Sequence, residues 1–243
     1  MLGDTTALRM VRTPSKEDED NREWQRERDR LQSERRACMD RIGKKLRTQG
    51  IWKWEPASLR EGTLRCADGT PLGRMLQQAM EMELDRAELA QAKLAVLEDR
   101  VEQLTPKASQ CIEQLTSLSG IGEVGGRGLA LKLYWREFDN RRQVGACTGL
   151  VGMPYDSGTT RQDQGISKQG DPSLRALLVE LSWLWLRYQP DSAITAWFRK
   201  RTEGQGKRHK RTMIVAVARR LAIALWRYLK TGEAPQGAVL KHA

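Results

Sequence analysis

Ser157, Lys168 and Arg175 are the residues of this chain whose types and spacing suit phosphate chemistry. They belong to Gly149-Leu-Val-Gly-Met-Pro154-Tyr-Asp-Ser157-Gly158 and Gly165-Ile-Ser167-Lys168-Gln-Gly170-Asp-Pro-Ser-Leu174-Arg175, glycine-rich turns flanking a short polar loop. Such a loop can bring a serine hydroxyl, a lysine and an arginine to one phosphate. The same residues also make ordinary turns, because Gly supplies a positive φ and Asp or Ser bonds back to the chain. Ser167 sits in Gly-Ile-Ser-Lys-Gln-Gly, which is not a Gly-x-Ser-x-Gly elbow, and no strand-like run precedes it. A hydrolase reading therefore fails.

Two other segments point to phosphate. Leu115-Thr-Ser-Leu118-Ser-Gly120-Ile121-Gly122-Glu-Val124 has the form of a helix, a hairpin turn and a second helix. In a helix-hairpin-helix, Gly120 and Gly122 would let backbone N–H groups approach a phosphate with no Cβ in the way. A tight helix–helix turn without a ligand is the competing reading. Residues 198–230 hold eleven Lys or Arg and one acid, Glu203. Within them Lys207, Arg208, Lys210 and Arg211 read as a loop entering a helix over Met213–Leu229, where phosphate contact competes with a merely solvated face.

The charge balance agrees. Forty-two Lys and Arg stand against 31 Asp and Glu, a formal charge of +11, and such an excess favours a polyanionic partner, nucleic acid first. No apolar run approaches a membrane span. Cys38, Cys66, Cys111 and Cys147 form no CxxC pair, and with two histidines no Cys/His metal site is expected. Reduced thiols in a cytoplasmic protein fit this usage.

Helices must position these residues. Ser15 caps a run to about Gln49 whose apolar residues Trp24, Leu31, Cys38, Ile42 and Leu46 form a narrow stripe. Residues 51–71 read as a loop with a helical turn. A second long helix, about 71–105, carries Ala87, Ala90, Leu94, Leu97, Val101 and Leu104 in heptad spacing. Together the two predict an antiparallel coiled-coil arm or a seam shared between subunits, with a plain helical hairpin as the alternative. Pro172–Tyr188 reads as a buried core helix, and Ser192–Arg201 as a short one. The expected fold is all-α: a remnant segment at 1–14, a long helical region over 15–105, a compact helical domain over 106–235 and a tail at 236–243.

The order of these motifs resembles the C-terminal transposase domain of the DEDD-type insertion-sequence transposases, the IS-one-ten family, over roughly residues 106–235. The resemblance implies a serine that attacks a DNA phosphate and forms a covalent phosphoserine link, with Ser157 at the nucleophile position. It implies DNA as substrate, a structured guide RNA as a second partner and, through the coiled coil, a homo-oligomer. Lys168 and Arg175 would neutralise the phosphate. The family's metal-binding acids belong to an N-terminal RuvC-like domain, and its Lys-Thr-Asp-x-x-Asp-Ala segment has no counterpart here. Mg²⁺ is therefore expected with that domain and not with this chain, which is expected to be a truncated copy inactive in cleavage alone. A non-catalytic helix-hairpin-helix binding and oligomerisation module is the rival reading.

Overall fold

The computed structural model describes residues 13–99, 104–157 and 160–241, and of 154–157 and 160–164 it describes the course of the backbone. The chain forms two compact units, one of Glu23–Gln103 and one of Leu104–Ala243 with the segment up to Arg22.

The first unit is a helical hairpin. Helix α1 (Lys16–Thr48) starts where Ser15 Oγ accepts the Asp18 amide at 3.0 Å. It carries acids in its first turn and Lys45 and Arg47 in its last, as the helix dipole favours. A short α2 (Pro56–Arg60) and α3 (Arg74–Glu98) follow. Trp24 Nε1 donates to the Leu97 carbonyl at 3.0 Å, Leu31 packs with Ala90 and Leu94, and Ile42 and Leu46 pack with Met80 and Leu84. That order makes α1 and α3 antiparallel, so the part of the heptad seam on α3, through Ala90, Leu94 and Leu97, closes on α1 of the same chain; Val101 lies outside the described residues. Arg28 pairs with Glu98 at 2.9 Å and Arg41 with Glu83 at 2.7 Å along the edges.

The second unit wraps helices around α7 (Pro172–Tyr188) and α9 (Lys207–Thr231). Leu174, Leu178, Leu181 and Trp185 of α7 meet Ala218, Leu221, Leu225 and Tyr228 of α9 in one core. Helices α4 (Pro106–Thr116), α5 (Glu123–Leu129) and α6 (Arg141–Cys147) pack around it, with a π-helical turn at Ala130–Tyr134 after α5. Three of the starts have a local side-chain cause. Asp171 accepts the Ser173 amide ahead of α7 at 2.8 Å, and Asn140 accepts the Arg142 and Gln143 amides ahead of α6. Ser192 opens α8 (Ala193–Thr202), and its hydroxyl also accepts the buried Trp185 indole N–H at 2.9 Å.

The helical fold class therefore holds, with one addition. The stretch expected as a polar loop is an antiparallel hairpin, β1 (Gly152–Ser157) and β2 (Thr160–Ile166), with Gly152 opposite Ile166 and Ser157 opposite Thr160. Backbone pairing needs no apolar alternation, and Thr-Arg-Gln-Asp-Gln-Gly-Ile offers none, so its period is silent in the sequence. Among the described residues no helix is long and apolar enough to cross a membrane.

Candidate nucleic-acid interface

Helix α9 begins with charge opposed to its own dipole. Lys207, Arg208, Lys210 and Arg211 occupy its first two turns, no acid stands in the first turn, and Gly206 caps it without a side-chain bond. The sequence reading put this cluster in a loop before Met213. The helix instead starts at Lys207, because Lys and Arg are good helix formers and only the glycines ahead of them break the period. Exposed cations at the positive end of a helix are an arrangement that an anion relieves.

The same charge continues down α9. A groove of about 1570 Å³ is lined by six of its cations (Arg208, Arg211, Arg219, Arg220, Arg227 and Lys230) and by Arg141 and Arg142 at the start of α6, against one acid, Glu233. Arg208, Arg219 and Lys230 stand eleven residues apart, about three helical turns, and so share one face. Sequence reasoning missed Arg141, Arg142 and the four cations beyond Arg211. Counted from Arg208, the eleven-residue spacing is the signal that finds two of them, Arg219 and Lys230.

None of these eight cations has an ion-pair partner among the described residues. The ion pairs that are described lie on α1, α2 and α3, as in Arg22–Glu19, Arg26–Glu23 and Arg60 with Asp85 and Glu88. Arg219 crosses the bare face of Gly145, where a Cβ would come within 2.9 Å of its Nε. That Nε is buried without a hydrogen-bond partner. Arg220 lies 4.0 Å over the Trp197 ring, and Lys230 Nζ 5.5 Å from the Trp226 ring centre.

Gly152, Gly165 and Ile166, the base of the hairpin, also line this groove. The base is pinned by close approach of two chain segments. The Lys168 amide donates to the Gly149 carbonyl at 3.1 Å and the Ser167 amide to Val151 at 2.8 Å. Gly149 has φ +66°, and a Cβ there would sit 1.9 Å from the Gln169 carbonyl oxygen. Lys168 itself adopts φ +55°, the one non-glycine residue with a positive φ among those described. Arg175 Nη1 donates to the Gln169 and Gly170 carbonyls at 3.0 and 3.2 Å. The fold thus gathers Lys168 and Arg175 at one turn, with Arg175 spending one nitrogen on it. Ser157 ends β1; its side chain lies outside the described residues.

Gly120 and Gly122 lie in the turn between α4 and α5. Gly120 has φ +87°, with Tyr188 Cβ and the Leu184 carbonyl 3.2 and 3.3 Å from where a Cβ would stand. The Ser119 and Ile121 amides are already used, by the Val239 and Leu118 carbonyls. Gly122 is exposed and precedes α5, and Lys241 Nζ reaches the Ile121 carbonyl at 2.8 Å.

Residues 112–195, from α4 through the hairpin into α8, match the family described as Transposase IS116/IS110/IS902. Residues 112–195 thus match a transposase domain of this family. A Sinorhizobium fredii protein named transposase y4rJ is 38% identical over 255 residues, covering 98% of this chain and 64% of the relative. The transposase for insertion sequence element IS1328 of Yersinia enterocolitica is 34% identical over 119 residues, 47% of this chain and 34% of its own. A Pseudomonas aeruginosa protein named as a family 20 transposase is 27% identical over 162 residues, 65% and 46% of the two chains. The chain thus spans less than two thirds of the length of each relative.

The family match includes Gly120, Gly122, Ser157, Lys168 and Arg175 and stops before α9, so most of the basic groove lies beyond the matched segment. Among the described residues no group of three or more His, Cys, Asp or Glu side chains is arranged to hold a metal ion. They do not fit Mg²⁺.

Proposed function

We propose that this chain is the nucleic-acid-holding and serine-bearing part of an insertion-sequence transposase. The observation that carries this reading is the α9 groove: eight cations without ion-pair partners among the described residues, one acid, and the base of the Ser157 hairpin in its wall. Phosphates of DNA lie along the Arg208, Arg219 and Lys230 face. The structured guide RNA that the family resemblance implies offers the same chemistry as a second partner. The Gly120–Gly122 turn adds a phosphate contact in the manner of a helix-hairpin-helix.

In this reading Ser157 Oγ attacks a DNA phosphorus in line. A Ser–O–P bond forms, the bond from phosphorus to the departing nucleotide oxygen breaks, and the serine proton ends on the alcohol that leaves. Lys168 and Arg175 sit at the base of the hairpin, a strand length from Ser157 at its tip, and hold other phosphates of the same DNA. Positioning and charge neutralisation supply most of such catalysis. The family's Mg²⁺ and its acids come with the RuvC-like domain of an intact transposase, and this chain alone binds without cutting.

Self-association belongs to the same proposal, by another face than the seam. Met75, Met82, Leu89 and Val96 recur every seventh residue on α3 and are each more than half exposed. Copies of the chain meet along this stripe.

Binding of a labelled DNA duplex across a salt series tests the core of the proposal. Affinity falls steeply with salt, by a log–log slope of about −0.9 per phosphate neutralised. Replacing Lys207, Arg208, Lys210 and Arg211 by Gln flattens the slope and weakens binding alike on unrelated sequences. No binding at low salt, or binding indifferent to salt, contradicts the reading.

A further inference from the structure

We infer that the α9 groove takes a single strand, DNA or RNA, with phosphates on its arginines and bases turned inward onto an apolar floor. The inference rests on the nucleic-acid reading above and specifies the form of the ligand.

A duplex shows a protein mainly its phosphates and groove edges, which a basic face alone satisfies. This groove offers more. Between its cations lie Ile194, Trp197, Ile223 and Trp226, all lining it and all only partly buried. Their apolar surface is of no use to a sugar-phosphate backbone. Unstacked bases need such surface, because every base has a flat face that an aromatic ring or a guanidinium plane can cover.

Cation and aromatic groups alternate in the way a strand requires. Arg220 stacks on Trp197 at 4.0 Å, so the ring is steadied from one side by a guanidinium that can itself carry a base or a phosphate. Lys230 and Trp226 repeat the pairing at 5.5 Å near the other end of the helix. Between them Arg219, with its buried and unpartnered Nε, supplies a fixed charge. From Trp197 and Arg220 to Trp226 and Lys230 the groove therefore presents charge, ring and charge again. A uniformly charged duplex-binding face has no reason to interleave them.

The test compares one 12-nucleotide mixed sequence as single-stranded DNA, single-stranded RNA and DNA duplex, by fluorescence anisotropy at matched salt. A single strand binds about tenfold or more tighter than the duplex, and the DNA and RNA arms show which strand is preferred. The Trp197→Ala and Trp226→Ala double variant, checked for helix content, loses this preference while its duplex affinity stays within about threefold. Duplex binding equal to or tighter than that of both strands overturns the inference, as does a double variant that weakens all three ligands equally. Either result leaves salt-dependent phosphate binding standing. Failure of all three to bind at low salt removes the nucleic-acid reading itself.

Discussion

Gln189 grips Val239 from both sides of the peptide: its Nε2 donates to the Val239 carbonyl at 2.8 Å and its Oε1 accepts the Val239 amide at 2.7 Å. The same Nε2 donates to the Ser119 carbonyl at 2.8 Å. Gln189 has no exposed surface. One side chain at the end of α7 thus fastens the segment expected as a tail to the Gly120 turn. The backbone completes the fastening, Ser119 to Val239 at 3.1 Å and Lys241 to Ser117 at 2.7 Å.

Replacing Gln189 by Met keeps its volume and removes all three bonds. Buried groups left unpaired cost about 1–3 kcal/mol each, so a loss of about 2–4 kcal/mol is expected in denaturant unfolding. Hydrogen exchange at the Ser119 and Val239 amides speeds up more than in α9. Unchanged stability would mean that the C-terminal segment is not held through Gln189.

Gly149→Ala is expected to disrupt the base of the Ser157 hairpin. Gly204 is its control: it too has φ +66°, but nothing lies within 4 Å of its missing Cβ. Gly204→Ala meets only the left-handed backbone cost, about 1–2 kcal/mol. Gly149→Ala adds a clash with the Gln169 carbonyl and should exceed the control by about 2 kcal/mol or more. Equal melting temperatures for the two variants would contradict the close approach.

Alkali should destabilise the second unit. Burial pushes the Cys111 thiol up to about 12 and raises Tyr134 well above its usual value of 10.0. From about pH 9, the ordinary thiol value, to about 12, unfolded chains release the Cys111 proton while folded ones keep it. Stability therefore holds below pH 9 and falls as pH rises through that window, at up to about 1.4 kcal/mol per pH unit for each such group. Cys111→Ala makes the fall shallower. A flat profile to pH 11 would contradict the burial of these groups.

Self-association through α3 predicts that Met82→Glu with Leu89→Glu yields a monomer by light scattering at concentrations where the parent chain is larger. Helix content stays unchanged, since both side chains are more than half exposed. A parent chain monomeric at high micromolar concentration would contradict the self-association proposal.

What the sequence made legible follows from which signals are local. Trp24, Leu31, Ile42 and Leu46 on one helix and Ala87 to Leu97 on the next recur at helical spacing because each stripe is buried, and the two stripes face one another. The cap at Ser15 was readable because it is satisfied within three residues. The hairpin at 152–166 was not, since its pairing is backbone to backbone. Nor was the groove, because Arg141 and Arg142 join Arg219 only through the packing of α6 on α9, with Gly145 giving Arg219 its room. Gly149 and Gly170 stood out as turn glycines, yet their close partners, Gln169 and Cys147, are contacts of the folded chain.

Covalent trapping of DNA on Ser157 tests the central claim most directly. The chain is joined to a RuvC-like domain of an intact family member, supplied with its guide RNA and Mg²⁺, and incubated with labelled DNA before denaturing electrophoresis. A protein–DNA adduct forms, Ser157→Ala abolishes it while nucleic-acid binding stays within about twofold, and the chain without that domain leaves DNA uncut. An adduct that survives Ser157→Ala, or that disappears with Ser167→Ala instead, would contradict the assignment of Ser157 as nucleophile.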